Sequence, residues 1–320
     1  MRSIEQGTTS PLVSIIMPAF NAEAHITESI QSILRQTYTN FELIIIDDKS
    51  TDKTAIIAAT YANNDSRVKL ITNKRSKGAS GARNSGIVIA DGDWIAFLDS
   101  DDIWFDVLEQ KVRAVTEEYP DCDMISTDYD FWFPGENIRI SKVDDNKVWN
   151  KHFGYSNESS LPIEIKNPID AFMDTVLTNT NVVMVRAQIV HIIGGFDETI
   201  RVYEDIHMWL LLASHSQSFV YLPVCGALYR QHEGSLSDVV DDPIEMYAPP
   251  VFSKLLNEAQ FQDYKYILRR KIIQHIQLNT YWYRNNNKKW KAFKSACSGL
   301  RWGWMSTSIW RNLLAASLLR

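Results

Sequence analysis

Along residues 11–130 the spacing of apolar positions switches repeatedly between a strand period and a helix period. Val13 to Met17 reads as a strand. Ile26, Ile30, Ile33 and Leu34 then fall at i, i+4, i+7 and i+8, one face of a helix. Phe41 to Ile46 predicts a second strand ending at Asp47-Asp48, and Ser50-Thr51-Asp52 offers caps for a helix through Ala59. Val68 to Ile71 predicts a third strand, followed by a helix from Ser80 to Ala90. Next come a strand from Trp94 to Leu98 and a helix carrying Val107, Leu108, Val112 and Val115. From Phe131 to Pro168 the pattern is lost among Asn, Ser, Pro, Gly and scattered aromatics, which predicts long loops around a site. Regularity returns with a strand at Asn181 to Val185 and a turn at Gly194-Gly195-Phe196-Asp197-Glu198. A helix follows from Glu204-Asp205 through Met208, Leu211 and Leu212, and then a strand at Phe219 to Leu222. This alternation predicts an α/β fold with a mostly parallel sheet flanked by helices.

Such sheets bind ligands beyond the carboxyl ends of their strands. Pro18-Ala19-Phe20-Asn21, Asp47-Asp48 and Asp99-Ser100-Asp101 each follow a strand, so they are expected on one edge facing one crevice. Asp99, Asp101 and Asp102 put three carboxylates in one small region, where they repel one another and lose hydration. A hard divalent cation bound through oxygen is the natural compensation, with positions left for substrate phosphates. The alternative is an acidic turn capping the next helix, and for Asp102 it stays open. No Gly-x-Gly-x-x-Gly follows the first strand and no Gly-x-x-x-x-Gly-Lys-Ser/Thr loop occurs, which disfavours a nicotinamide dinucleotide fold and a P-loop.

Composition adds a division of charge. The 320 residues allow one large domain or a domain with an appendage, and 45% hydrophobic with 22% charged residues is ordinary for a globular protein. Cys122, Cys225 and Cys297 show neither metal-ligand spacing nor a disulfide framework. Met1 to Ser10 lacks an apolar core and reads as a tail, and no apolar run is long enough for a bilayer, so a reducing cytoplasmic location is the default. The net charge of −6 conceals twelve Lys or Arg and no Asp or Glu from Lys265 to Arg320, a stretch that also holds five of the ten tryptophans. The expected organisation is a tail at 1–10, a nucleotide-binding domain at 11–240 and a basic, aromatic helical appendage at 241–320.

Five blocks, in order, resemble the family-2 glycosyltransferases with the GT-A fold. They are Val13 to Asn21 with Ser32 to Tyr38; Glu42 to Asp52; Gly81-Ala82-Arg83-Asn84-Ser85-Gly86-Ile87; Asp99-Ser100-Asp101-Asp102; and Gly194 to Glu198 with Glu204-Asp205 and Tyr229 to Ser237. The resemblance covers roughly residues 11–237. It implies a Rossmann-like nucleotide-binding sheet and an inverting sugar transfer from a nucleotide-diphosphate donor, a UDP-sugar by preference. By resemblance, Asp101 binds Mn2+ or Mg2+, His232 reaches the same metal, and Asp99 supports the metal or the ribose. Asp48 looks like the residue that reads the base, in a pocket lined by Pro18, Ala19 and Asn21. Ser100 falls among the nucleotide- and donor-binding residues, and Arg83 pairs with the diphosphate or else forms a helix-surface salt bridge. Asp205 matches the general base that takes the acceptor hydroxyl proton. Gly195, Glu204 and Trp209 fall where the donor sugar or acceptor would sit, although core packing is the plainer role for Trp209. Lys49 stands where Gly is usual, His207 where Asp is common and Leu211 where Arg is frequent.

The basic tail suits an interfacial helix on anionic lipid, whereas a packed helical cap is the alternative and no nucleic-acid recognition module is present. Together these features imply a peripheral enzyme on the inner face of the cytoplasmic membrane. It would act on a saccharide or lipid-linked saccharide in surface polysaccharide synthesis of the O-antigen or capsule type. A nucleotidyltransferase would carry a Gly-rich start after the first strand. A catalytically silent nucleotide-sugar-binding or scaffold protein is the rival of another class, and retention of Asp99, Asp101 and Asp205 weighs against it.

Overall fold

The computed structural model describes residues 10–134, 138–141, 161–175, 177–232 and 244–303. Its contacts divide it into two units. One comprises the described residues up to Arg201 together with Met208–His232, the other Val202–His207 with the described residues from 244 onward.

The first unit is built on a mixed, mostly parallel sheet. Strands β1 (Val13–Ala19), β2 (Phe41–Asp47), β3 (Val68–Thr72) and β4 (Trp94–Phe97) lie parallel in the order β3-β2-β1-β4. The sheet continues through β9 (Val183–Arg186), β6 (Met124–Phe133), β10 (Ser218–Arg230) and β5 (Ile103–Trp104). β9 runs antiparallel to both neighbours, whereas β6 and β10 are parallel. β1 and β2 are apolar almost throughout because both faces of a central parallel strand are covered.

Helices α1 (Ile26–Leu34), α2 (Thr54–Asn64) and α3 (Ala79–Ile89) connect the parallel strands. α1 buries Ile26, Ile30 and Ile33 on its spaced apolar face. α3 works differently: Ser80 to Ile87 is buried throughout although few of these residues are large and apolar. Its small side chains let the helix axis approach the sheet. A Cβ at Gly86 would stand 2.8 Å from both Ile16 and Ile46 side chains, so that approach depends on glycine. Helices α4 (Leu108–Arg113), α5 (Ile169–Asp174) and α6 (Ala187–Ile193) complete the unit, together with most of α7 (Glu204–His215), whose first turn groups with the second unit.

The stretch from Phe131 to Pro168, expected as loops, departs from that expectation where it is described. β6 continues to Phe133, β7 (Ile138–Ser141) pairs with it, and β8 (Ile163–Lys166) pairs with β10. Strand pairing with distant neighbours supplies order that local composition does not show. Residues 135–137 and 142–160 of that stretch lie outside the described residues.

The second unit is helical beyond Ile244. It contains α8 (Ala248–Leu255), α9 (Lys265–Asn285) and α10 (Lys289–Gly303). α9 buries Leu268, Ile272, Ile276, Asn279, Thr280 and Tyr283, and α10 buries Ala292, Ala296 and Gly299. Thr280 donates to Ile276 O and bonds Ser295 Oγ at 3.0 Å, joining the two helices. Among the described residues no helix is long and apolar enough to cross a membrane.

Candidate active site

The parallel register brings the predicted edge together. Ala19 lies opposite Asp47 and Ile16 opposite Phe97. The chain continues the ladders for one more bond on each side: the Asp48 amide donates to Ala19 O, and the Leu98 amide to Ile16 O. Pro18, Ala19, Asp48 and Asp99 therefore leave the sheet on one side.

Asp48 is buried, and its carboxylate is held in place. It accepts from Asn73 Nδ2 at 2.6 Å and from the Gly78 amide at 2.8 Å. A carboxylate has about four lone-pair sites, so acceptor capacity remains. Asn21 turns to a left-handed φ of 48° and its Oδ1 accepts from the Thr51 amide, stitching the loop after β1 to the loop after β2. Lys49 takes a φ of 65°. The turn thus keeps the left-handed geometry a glycine would adopt, and Lys49 bears the backbone strain. Phe20 is exposed, with Lys77 Nζ 4.2 Å from its ring centre.

The acidic cluster after β4 separates into three distinct environments. Asp99, partly exposed, pairs with Arg83 Nη2 at 2.7 Å, and Arg83 itself is 4% exposed. Asp101 faces His232, with Oδ2 and Nε2 3.0 Å apart. Asp102 is 1% exposed and accepts from the Arg230 amide at 2.9 Å and from Asn181 Nδ2 at 3.0 Å. Burial, and then the charges of Asp101 and Asp99, push the Asp102 carboxyl well above its ordinary range. Asp102 is thus a buried tie between strands, distinct from the two partly exposed acids. Ser100 is buried, and its carbonyl accepts from Ser29 Oγ at 2.9 Å. His25 lies ring to ring with His232, 5.0 Å between centres; burial, and then the Arg230 charge, lower its pKa.

Charge compensation of the cluster comes in part from the protein, through two buried arginines, Arg83 and Arg230. Among the described residues no group of three His, Cys, Asp or Glu side chains could hold a metal by itself. Asp101 and His232 instead form a partly exposed two-group pair. Oxygen-seeking cations such as Mg2+ bind through one or two carboxylates while phosphate oxygens and waters fill the rest, so the residues present suit a cation shared with a diphosphate.

The Gly194–Glu198 turn is pinned to α3 by a residue to which the sequence reading gave no role. Asn84 Oδ1 accepts from the Phe196 amide at 2.8 Å, and its Nδ2 donates to Phe196 O at 2.8 Å and Glu198 Oε1 at 3.0 Å. Gly195 has a φ of 81°, and a Cβ there would lie 2.4 Å from Asn84 Oδ1. Glu198 also bonds Ser76 Oγ and Arg75 Nη1. Burial acts to raise its pKa, but the bonds from Asn84, Ser76 and Arg75 prevail and bring it to about 2. The amide of Phe196 is therefore committed to Asn84.

Trp209, for which the sequence offered core packing or an acceptor contact, belongs to the core. It is 1% exposed and packs against the rings of Phe97 and Phe196. Its position one turn beyond Asp205 points inward because the face of α7 carrying Met208, Trp209 and Leu212 is covered. Glu204 and Asp205 open α7, where the helix dipole favours carboxylates, and Asp205 Oδ1 accepts the Ile206 amide at 2.7 Å. Both group with the second unit. Arg230 stands in the Tyr229-Arg230-Gln231-His232 run of the fifth block, where the sequence reading assigned it no individual role.

With this geometry in hand, comparisons with known proteins decide the family. The model for "Glycosyl transferase family 2" matches residues 14–173, half of the chain. The chain belongs to glycosyl transferase family 2. Among its relatives, the Escherichia coli protein named UDP-Glc:alpha-D-GlcNAc-diphosphoundecaprenol beta-1,3-glucosyltransferase WfgD is 56% identical over 105 residues, 32% of this chain and 41% of that one. The aligned part thus spans less than half of that relative. A Bacillus subtilis (strain 168) protein named for teichuronic acid biosynthesis, glycosyltransferase TuaG, is 32% identical over 228 residues, 71% of this chain and 82% of its own. The structure of S. aureus TarS 1-349 in complex with UDP-GlcNAc superposes with a TM-score of 0.66 at 18% identity, over 90% of this chain and 80% of TarS. Mannosyltransferase PcManGT from Pyrobaculum calidifontis, in complex with GDP-Man and Mn2+, gives 0.54 at 17% identity, over 98% and 81%. These two likenesses establish the fold, and this family-2 member shares the GT-A architecture of TarS.

Proposed function

We propose that this glycosyltransferase transfers a sugar from a UDP-sugar to a hydroxyl of a lipid-linked saccharide in surface polysaccharide synthesis, with inversion and with a divalent cation. The observation that carries the reading is the Asp101–His232 edge at the carboxyl end of β4, beside the Arg83–Asp99 pair. Asp101 and His232 would hold Mn2+ or Mg2+, which supplies Lewis-acid stabilisation of the leaving diphosphate. Asp48, fixed by Asn73 and Gly78, accepts a hydrogen bond from the base, with Pro18, Ala19 and Asn21 forming the wall around it. Arg83 shares its guanidinium between Asp99 and the departing charge. Asp205 takes the proton of the acceptor hydroxyl as that oxygen attacks the anomeric carbon from the face opposite the leaving group. Glu204 and the Gly195 turn shape the sugar side. The WfgD name, which specifies UDP-Glc and a GlcNAc-diphosphoundecaprenol acceptor, supports this donor and acceptor class. The helical unit would meet an anionic membrane surface, which is where such an acceptor resides.

The test is release of UDP from a panel of UDP-sugars with diphosphoundecaprenol-linked GlcNAc as acceptor. Turnover should require Mn2+ or Mg2+, stop with EDTA, and fall at least a hundredfold in Asp101→Ala. Full turnover in chelator would refute the cation's role. Tight UDP-sugar binding without turnover on any acceptor would favour the silent scaffold.

A further inference from the structure

One buried group is unassigned by the proposed chemistry, although it touches the residue that chemistry depends on most. Arg230, the last residue of β10, is 5% exposed. Its Nε donates to the backbone carbonyl of Asp101 at 2.7 Å. Its Nη2 pairs with Glu28 Oε2 at 2.5 Å, and its own amide donates to Asp102 Oδ1 at 2.9 Å. The guanidinium lies over the Trp132 ring, 4.3 Å from its centre. Two residues further on, His232 meets the Asp101 side chain. The end of β10 and the residues just after it therefore grip Asp101 twice, by its backbone through Arg230 and by its carboxylate through His232.

Arg230 and His232 reach this place through the sheet rather than through local sequence. β5, immediately after Asp102, pairs with β10 at Ala227 and Leu228, so the acidic turn and the end of β10 are tied in register. Irregularities between Leu222 and Ala227 reset the pairing of β10 with β6 before that point. The planar fork of arginine can serve a carbonyl, a carboxylate and an aromatic face at once, which a lysine ammonium cannot reproduce.

We propose that Arg230 is the positioning residue for Asp101. It fixes the Asp99–Asp102 turn so that the Asp101 carboxylate and His232 are preorganised for a cation shared with the donor diphosphate. This rests on the reading of Asp101 and His232 given above. Partners that orient ligand groups typically change metal affinity by 10–100-fold when altered.

The experiment uses the full chain with three substitutions: Arg230→Lys, Arg230→Met and Glu28→Gln. Glu28 is more than half exposed, so its substitution spares the fold while loosening the guanidinium. The first readout needs no metal: amide hydrogen exchange at Asp102, whose N–H bonds Asp99 O at 3.1 Å. Arg230→Lys should speed it at least tenfold, and Glu28→Gln to a lesser degree. The second is calorimetric titration of Mn2+ in the presence of UDP, where Arg230→Lys should weaken binding at least tenfold with the melting temperature within about 3 °C of wild type. A purely structural role would instead lower the melting temperature and leave Asp102 exchange and Mn2+ affinity of the folded protein unchanged, which overturns the proposal. Should Arg230→Met fail to fold, the other two variants carry the test. Absence of Mn2+-dependent UDP binding in wild type would overturn the cation reading and this proposal together. Wild-type binding with an unaltered Arg230→Lys variant overturns this proposal alone.

Discussion

Gly194 and Gly195 offer a controlled perturbation, because both take nearly the same left-handed φ, 80° and 81°, in opposite surroundings. A Cβ at Gly194 would meet nothing within 4 Å. Gly194→Ala therefore incurs only the backbone strain of an L-residue at positive φ, about 1–2 kcal/mol. At Gly195 the same Cβ would lie 2.4 Å from Asn84 Oδ1 and 3.3 Å from Asn84 Cγ, so the amide must move. Asn84 is not free to swing, since it holds the Phe196 amide, the Phe196 carbonyl and Glu198. Leaving those buried groups unsatisfied adds about 1–3 kcal/mol, for a total of about 2–5 kcal/mol. At about 3 °C per kcal/mol for a unit of this size, Gly194→Ala should lower the melting temperature by roughly 5 °C and Gly195→Ala by roughly 10 °C. Scanning calorimetry measures both. Repeating Gly195→Ala on an Asn84→Ala background removes the obstructing oxygen, so the additional loss should shrink to that of Gly194→Ala. Equal shifts for the two single variants, or full additivity with Asn84→Ala, would refute the argument that the turn is pinned by Asn84.

Lys111 is 2% exposed, donates to Val182 O at 2.6 Å, and burial brings its pKa from 10.5 down to about 7. Between those values the unfolded chain binds the extra proton, so stability should rise with pH, by about 1.5 kcal/mol from pH 7 to 8.5; urea titrations of Lys111→Met should lack that slope, and a parallel slope would contradict the burial argument. Asp205→Asn keeps the shape but not the basicity; turnover should drop at least a hundredfold with UDP binding intact, and near-normal rates would require another base. On α10, Trp290, Phe293, Lys294 and Arg301 share the exposed face opposite Ala292, Ala296 and Gly299. Trp290→Ser with Phe293→Ser should reduce co-sedimentation with anionic vesicles severalfold, and added salt should reduce it further; unchanged binding would favour the packed-cap alternative.

Local pattern was sufficient for the first four strands and three helices, because a central parallel strand is apolar on both faces and an amphipathic helix repeats its face every turn. It was equally sufficient to place Pro18, Asp48 and Asp99 on one edge, since parallel strands joined by short crossovers end together. Other features depend on residues far apart in the chain. Phe131 to Pro168 read as loops, yet its described parts include strands held by β6 and β10. For Trp209 the sequence left core packing and an acceptor contact side by side, and it is the rings of Phe97 and Phe196 around it that decide for the core.

The division at the site has the same origin. Sequence alone determined that three carboxylates gather after β4, because adjacency guarantees it. Only the tertiary structure decided that they differ: Asp99 meets Arg83 from α3, Asp101 meets His232 from beyond β10, and Asp102 is sealed between Arg230 and Asn181. Those partners come from 16 to 131 positions away. No periodicity within a short window can encode which of three neighbouring acids receives a cation, an imidazole or a buried amide, because burial and charge are properties of what the fold brings alongside.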